Sequence, residues 1–384
     1  MQIVKQILRK KFGRNWFKVL SDNASLQYLI SYTNLMPFKK RYAYILLGGH
    51  GLGLQAFMSY LDMMGAKPRE IFAYDLIYPF VFHENFDGIV IEKTLNNSFV
   101  RQVLSTLKFR VPVYQIVRDP ISVVKSCYNV ELLHSFSTTQ MQENREKILI
   151  HVIRDLSYLM FCFTSMQKSV QHITSDITYL TQDSIGQDNL QNTLNDFADR
   201  FGYKHIELSK EKSVLKGTAF PRAFPYIFEV NGNEFGLFIE GREKRHCEID
   251  MLFDKRSIFK DRDYKIQKIK DLSVRGYENY PVYLAKLNHE KGEVVANLND
   301  VELKAKEVLD YILEVLEEHQ QLMLNEEQIL EILFEEKFRH ISKDIALKIH
   351  GELECLRKDR MDILKTFKYT ERFLHFFNLD IERN

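Results

Sequence analysis

The chain has 384 residues, of which 45% are hydrophobic and 27% charged, and its formal net charge is +1. These values are typical of a soluble globular protein of two or three domains, and the balanced charge argues against a nucleic-acid partner. The four cysteines lack the spacing of a zinc site or a disulfide framework, so we expect no metal and a reducing, cytoplasmic location.

Residues 1–40 form the first predicted segment. In residues 1–20, apolar side chains recur at helical spacing with lysines and arginines between them. Such a basic amphipathic helix can lie on an anionic membrane surface, which would give peripheral contact with the inner face of the membrane, but an amphipathic stripe more often faces a protein core. The alternative is a helix packed at the edge of a domain. No apolar run reaches the roughly 18 residues of a membrane-spanning helix.

Residues 41–210 alternate between short apolar runs and helical patterns. The strands are predicted at residues 42–47, 71–76, 88–94, 111–117 and 176–185, and the helices at residues 54–65, 97–108, after Pro120, 141–170 and 187–203. This alternation is typical of βαβ units. It predicts an α/β fold in which helices sandwich a parallel sheet.

The remaining chain divides into two predicted regions. Residues 211–300 are β-rich, and Asn231-Gly232 between two strand-like runs is the strongest hairpin signal in the sequence. We expect this region to serve the acceptor or an accessory role. Residues 301–384 have a helical pattern with few turn signals.

A glycine-rich turn, Gly-Gly-His-Gly-Leu-Gly, follows the first predicted strand. Gly49, Gly51 and Gly53 would let the backbone approach an anion at the carboxyl end of the strand, where ligands bind in parallel sheets. Amides of the next helix can hydrogen-bond phosphate oxygens, and Gln55 in its first turn is predicted to bind an oxyanion. For this turn taken alone, a tight strand-to-helix connection is the alternative.

Two side chains near this edge of the sheet are candidates for catalysis. His50 lies in the turn itself and is predicted to accept a proton from the acceptor or to donate to a phosphate. Lys93 ends the strand at residues 88–94 and is a candidate cation for the leaving group. A packing histidine and a solvated lysine are the alternatives.

Arg118 follows the strand at residues 111–117, and Ser126 comes eight residues later, about two turns into the next helix. A guanidinium presents a planar fork of donors that suits phosphate. Both residues are therefore predicted to bind the phosphate of a nucleotide. A structural ion pair at a helix start is the alternative.

The whole arrangement resembles the sulfotransferase family, with its P-loop-like core. The motifs are the strand, glycine turn and helix, the later strand with Arg-Asp-Pro-x5-Ser, Ile-Val-Ile-Glu-Lys-Thr at residues 89–94, and residues 179–203. The resemblance covers about residues 40–205. It implies that the first turn holds the 5′-phosphosulfate of PAPS (3′-phosphoadenosine 5′-phosphosulfate) and that Arg118 and Ser126 hold its 3′-phosphate. It also implies a sulfuryl transferase acting on a hydroxyl.

The sequence departs from the family pattern at two places. The donor turn lacks the usual cation and has Leu54 and Gln55 where two serines or threonines are usual, and Leu95 replaces the histidine of the Lys-Thr-His triplet. These departures leave another nucleotide donor open. The chain is similar to bacterial capsule-modifying transferases, so the alternative is a phosphoramidate or phosphoryl transferase. A non-catalytic interaction module is a further alternative.

The β-rich region is rich in aromatic residues, which bear on the choice of acceptor. Aromatic rings can stack on sugars, although their alternation is also typical of a core face. The candidate membrane-surface helix and the cysteine pattern together predict a carbohydrate or glycolipid acceptor, in keeping with polysaccharide modification at a bacterial capsule.

Overall fold

The computed structural model describes residue 10 and residues 42–71, 86–92, 110–135, 138–186, 188–208, 219–240, 243, 265–278, 280–288 and 297–383. Apart from Lys10, the predicted N-terminal helix lies outside the described residues, as do Lys93 and the predicted helix at residues 97–108.

The first part of the chain has five strands and five helices among the residues described. The strands are β1 (Tyr44–Leu47), β2 (Pro68–Ile71), β3 (Gly88–Ile91), β4 (Val111–Val117) and β5 (Thr174–Thr181). The helices are α1 (Leu54–Met63), α2 (Pro120–Ser135), α3 (Thr138–Met160), α4 (Phe163–Val170) and α5 (Leu190–Phe201).

The later part has four strands followed by helices. The strands are β6 (Tyr226–Val230), β7 (Asn233–Ile239), β8 (Lys265–Leu272) and β9 (Val282–Asn288). The helices are α6 (Leu298–Leu322), α7 (Glu326–Phe334), α8 (Arg339–Glu352), α9 (Glu354–Asp359), α10 (Met361–Leu364) and α11 (Lys368–Phe376), with short 3₁₀ turns at Phe220–Ala223 and Glu336–Phe338.

The chain divides into two compact units. The first comprises Met1–Ser126, Ile153–Glu207 and Glu326–Asn384, and the second comprises Cys127–Val152 and Leu208–Asn325. The helical pattern predicted a single region at residues 301–384. In the structure, α6 belongs to the second unit and the helices from α7 onward belong to the first.

The first unit contains a five-stranded parallel sheet in the order β2-β3-β1-β4-β5. Every residue of β1 and β3 is buried. Since successive side chains of a strand point to opposite faces, both faces of the sheet are covered. The predicted α/β class with a parallel sheet and helices is confirmed. The second strand was predicted at residues 71–76, but it begins at Pro68 and its last described residue is Ile71.

Aromatic packing joins α5 to the sheet. The ring centroids of Tyr44 and Phe197 are 4.9 Å apart, and those of Tyr114 and Phe197 are 4.7 Å apart. A Cβ at Gly88 would lie 2.2 Å from the Tyr44 ring, so only glycine fits opposite this tyrosine in the register. The helix ends at Gly202 in the left-handed conformation, as the sequence predicts.

The second unit contains an antiparallel sheet in the order β6-β7-β9-β8. Asn231 and Gly232 connect β6 to β7 with φ values of 52° and 78°. Positive φ at both central residues is the signature of a two-residue hairpin turn, and the predicted hairpin is confirmed. Helix α6 packs against β6 and β7.

One described stretch, residues 144–170, is apolar and long enough to cross a membrane by length and composition alone. Half of its most apolar window is buried in the protein. It also contains an Arg154–Asp155 ion pair, and the helix is interrupted between Met160 and Phe163. These properties fit the core helices of a soluble protein.

Candidate functional site

The strand order of the first sheet places the point where its connections diverge between β1 and β4. From β1 the chain continues to β2 on one side of the sheet, and from β4 it continues to β5 on the other side. The connections therefore diverge at two neighbouring strands. Ligands of open parallel sheets bind where the connections diverge in this way. The predicted glycine turn follows β1, and Arg118 follows β4, so both lie at this edge.

The three predicted glycines of the turn have different physical roles. Gly51 and Gly53 have φ values of 80° and 92°, a conformation that favours glycine. A Cβ at Gly49 would lie 2.7 Å from the carbonyl oxygen of Met160, so this position allows the turn to approach the end of α3. Gly53 is the N-cap of α1 and offers no side chain to its first amides.

His50 is fixed by both its backbone and its ring. The backbone amide donates to the carbonyl oxygen of Leu159 at 2.9 Å. The ring nitrogen Nδ1 lies 3.3 Å from Oε1 of Glu92, whose side chain is only 6% exposed, against 28% for His50. Glu92 directly follows β3, and the next residue along the chain, Lys93, lies outside the described residues.

Gln55 contacts an acidic residue in the structure. Its amide nitrogen Nε2 donates to Oε2 of Glu70 at 3.0 Å, and Glu70 is a buried residue of β2. The amide that was predicted to bind an oxyanion is therefore directed at a carboxylate. Its role toward a ligand stays a prediction.

Arg118 and Ser126 are brought together by the start of α2. Nη1 of Arg118 donates to Oγ of Ser126 at 2.9 Å. The eight-residue spacing works because Pro120 begins the helix at once, which places Ser126 near the end of β4. Both side chains are partly exposed, so an anion can reach the pair from solvent.

Asp119, between Arg118 and Pro120, is a structural residue. Its Oδ1 accepts from the amide of Ile121 and from the hydroxyl of Thr370, at 2.9 and 2.6 Å. Its Oδ2 accepts from the amides of Tyr369 and Thr370, at 3.0 and 3.3 Å. One carboxylate thus caps the amino ends of both α2 and α11. Burial raises the pKa of Asp119, although these hydrogen bonds oppose that shift.

A cleft of about 260 Å³ lies beside Arg118 in the first unit. Its walls come from the ends of β4 and β5 and from the segments that begin α7 and α11. They are Arg118, Asp119, Ser122, Thr181, Gln182, Asp183, Glu326, Thr366, Phe367, Lys368 and Tyr369. The loop after β5 also reaches the glycine turn, because Ile185 lies within 3.9 Å of a Cβ built at Gly53.

The charges around the cleft are partly neutralised by internal partners. Glu326 accepts from Lys125 at 2.7 Å and from Ser122 at 2.9 Å. Burial alone would raise the pKa of Glu326, but these hydrogen bonds, Lys125 first, hold it below its usual range. The Asp119 carboxylate accepts hydrogen bonds from Ile121, Tyr369 and Thr370. Arg118 and the exposed Lys368 are the cations in the wall.

No group of three or more histidine, cysteine, aspartate or glutamate side chains that could hold a metal ion occurs in the part of the chain that the structure describes.

Sequence reasoning missed Glu92, Lys368 and Tyr369. Glu92 had a usable signal, since it lies next to Lys93 near the carboxyl end of the strand predicted at residues 88–94, on the same edge as the glycine turn. Lys368 and Tyr369 had none, because about 250 residues separate them from Arg118 and no local pattern encodes such a contact.

A model of one protein family matches residues 179–378, which is more than half of the chain, and it is described as a protein of unknown function (DUF2972). The match begins within β5 and includes the cleft residues from Thr181 onward, while the glycine turn and Arg118 precede it. No curated protein and no solved structure matches the chain.

Proposed function

The chain belongs to the family described as a protein of unknown function (DUF2972), and we propose from the geometry of its site that it is a sulfotransferase-like group transferase. It would move a sulfuryl group from PAPS, a 3′-phosphonucleotide donor, to a hydroxyl of a carbohydrate or glycolipid. The proposal includes a P-loop-like arrangement of the first sheet.

The observation that carries the proposal is the Arg118–Ser126 pair at the carboxyl end of β4, beside the glycine turn that ends β1. The guanidinium and the hydroxyl are 2.9 Å apart, so one phosphate can accept from both. Charge-assisted bonds of this kind are stronger than neutral ones and suit the 3′-phosphate of the donor.

The glycine turn supports binding of the other end of the donor. The first amides of α1 have no partner within the helix, and the helix dipole favours negative charge at this end. Gly51 and Gly53 allow the backbone to approach an anion closely. The 5′-phosphosulfate would lie here, with the cleft beside Arg118 available to the rest of the nucleotide.

The chemistry requires in-line positioning, a proton acceptor for the hydroxyl and stabilisation of the leaving phosphate. His50 is the proton acceptor in this proposal, because it lies in the donor turn and its ring is partly exposed. Lys93 would supply positive charge to the leaving phosphate, and its position relative to the turn stays a prediction.

The alternative donor is a nucleotide that carries a phosphoramidate or another phosphoryl group for capsular polysaccharide. One observation favours it. The first turn of α1 has Leu54 and Gln55 in place of hydroxyl side chains, and Gln55 is hydrogen-bonded to Glu70. A donor whose phosphate is held by backbone amides alone suits this turn.

Nucleotide binding tests the proposal. We expect 3′-phosphoadenosine 5′-phosphate, the product of PAPS, to raise the melting temperature and to bind measurably by calorimetry. Arg118→Ala should weaken this binding by about 2–4 kcal/mol, because it removes a charged partner of the phosphate. Arg118→Lys should recover only part of it, since a lysine lacks the planar fork.

Arg110→Ala is the matched control, because Arg110 is exposed at the other end of β4. Equal affinity of wild type and Arg118→Ala would remove the donor site. Binding of cytidine nucleotides in place of 3′-phosphoadenosine 5′-phosphate would select the phosphoryl-transfer alternative. Binding without transfer to any glycan would favour the interaction module.

A further inference from the structure

His50 and Glu92 form a pair at the ends of β1 and β3. The strands are adjacent and parallel, with Leu47 opposite Ile91, and the amide of Gly48 donates to the carbonyl oxygen of Ile91 at 3.1 Å. The strand ends are thereby fixed relative to one another. His50 is held separately by its amide bond to Leu159.

The contact between the two side chains has a defined direction. Nδ1 of His50 lies 3.3 Å from Oε1 of Glu92. An ionised carboxylate can only accept, so Nδ1 carries the hydrogen in this contact and Nε2 keeps its lone pair. Glu92 is buried while the ring of His50 is partly exposed. Glu92 therefore orients the ring, and the lone pair of Nε2 is available to accept a proton.

We propose that Glu92 is a positioning residue that holds His50 in the tautomer able to accept a proton from the acceptor hydroxyl. The inference rests on the proposed function. In the transfer step the hydroxyl proton moves to Nε2 of His50, and the acceptor oxygen forms a bond to the donor sulfur. The bond between that sulfur and the bridging oxygen breaks, and its electron pair stays on the departing 3′-phosphoadenosine 5′-phosphate. Glu92 stabilises the imidazolium that forms.

The tautomer can be measured without any activity. Two-bond ¹H–¹⁵N spectra of protein labelled in its 12 histidines show which ring nitrogen carries the hydrogen at pH 8, and His50→Gln identifies the signal. We expect Nδ1–H in the wild type. Glu92→Met has a similar side-chain length but no oxygen, so it should shift the signal toward Nε2–H.

Glu70→Gln is the control for the tautomer, because Glu70 is also a buried glutamate at this edge but bonds Gln55. It should leave the His50 signal unchanged. An Nε2–H tautomer in the wild type overturns the inference, even if Glu92→Met does not fold. So does an unchanged signal in a folded Glu92→Met variant.

A second readout separates positioning from a merely structural role. With water as the acceptor, we expect Glu92→Met to slow sulfate release from PAPS at least tenfold while the affinity for 3′-phosphoadenosine 5′-phosphate changes less than twofold. Glu354→Gln, an exposed residue paired with Lys168, is the control for this assay. An unchanged rate, or a parallel loss of rate and affinity, overturns the inference. Absence of any nucleotide binding by the wild type instead rejects the proposed function, whichever tautomer His50 has.

Discussion

His319 in α6 is the buried group with the clearest consequence for stability. Its side chain is 1% exposed, and Nε2 has no hydrogen-bond partner among the residues that the structure describes. Burial lowers the pKa of His319 to about 4, from a usual value of 6.5. The folded state therefore holds the imidazole neutral, whereas the unfolded chain protonates it below pH 6.5.

The free energy of unfolding should consequently fall as the pH drops from 6.5 toward 4, by up to about 3 kcal/mol from this group. His319→Leu should remove this part of the pH dependence and raise stability at neutral pH by about 1–2 kcal/mol, because it removes a buried polar atom without a partner. Urea unfolding at several pH values measures both. His375→Leu, at an exposed position of α11, should change stability by less than about 0.5 kcal/mol. Parallel pH profiles of wild type and His319→Leu would contradict this account.

At the scale of elements, Asp119 joins two helices that are remote in sequence. Asp119→Asn replaces one acceptor oxygen with a donor that faces backbone amides. We expect a loss of about 2–4 kcal/mol in the free energy of unfolding, measured in urea. Asp183→Asn is the control, since Asp183 is exposed in the same cleft. A cost as small as that of the control would show that the double cap contributes little.

The approach of the glycine turn to α3 makes a second prediction at this scale. Gly49→Ala places a Cβ 2.7 and 2.9 Å from two carbonyl oxygens, so the turn or the helix end has to move. We expect a loss of about 1–3 kcal/mol. Gly351→Ala in α8 meets no atom within 4 Å and should stabilise the protein by about 0.5–1 kcal/mol. Thermal unfolding measures the change in stability of each variant. Equal shifts in melting temperature would contradict the packing argument.

At the scale of the whole molecule, we expect the proposed nucleotide to bind to the first unit alone. The glycine turn, the Arg118–Ser126 pair and the cleft all belong to the first unit. Hydrogen exchange with 3′-phosphoadenosine 5′-phosphate should show protection at residues 48–56, 118–126 and 181–186. The hairpin at residues 226–239 should exchange as before. Protection confined to the hairpin would move the nucleotide site to the second unit.

The sequence predicted those features that are encoded locally. The Asn231-Gly232 hairpin, the Gly202 helix end and the proximity of Arg118 to Ser126 depend on neighbours within about eight residues, and turn chemistry or helical spacing reveals them. The assignment of α6 and α7 to different units was not predictable, because both helices have similar amphipathic patterns. The contribution of Lys368 to the cleft depends on a return of the chain after about 250 residues, for which periodicity carries no information.

The double cap by Asp119 also bears on the order in which the protein is made. The ribosome synthesises β4 some 250 residues before Thr370, which completes the hydrogen bonds of this carboxylate. Until then Asp119 has its donor at Ile121 but lacks the amide and hydroxyl donors of Tyr369 and Thr370. Folding of the first unit therefore cannot finish during early translation, and we expect the proposed nucleotide site to form only after α11 has left the exit tunnel.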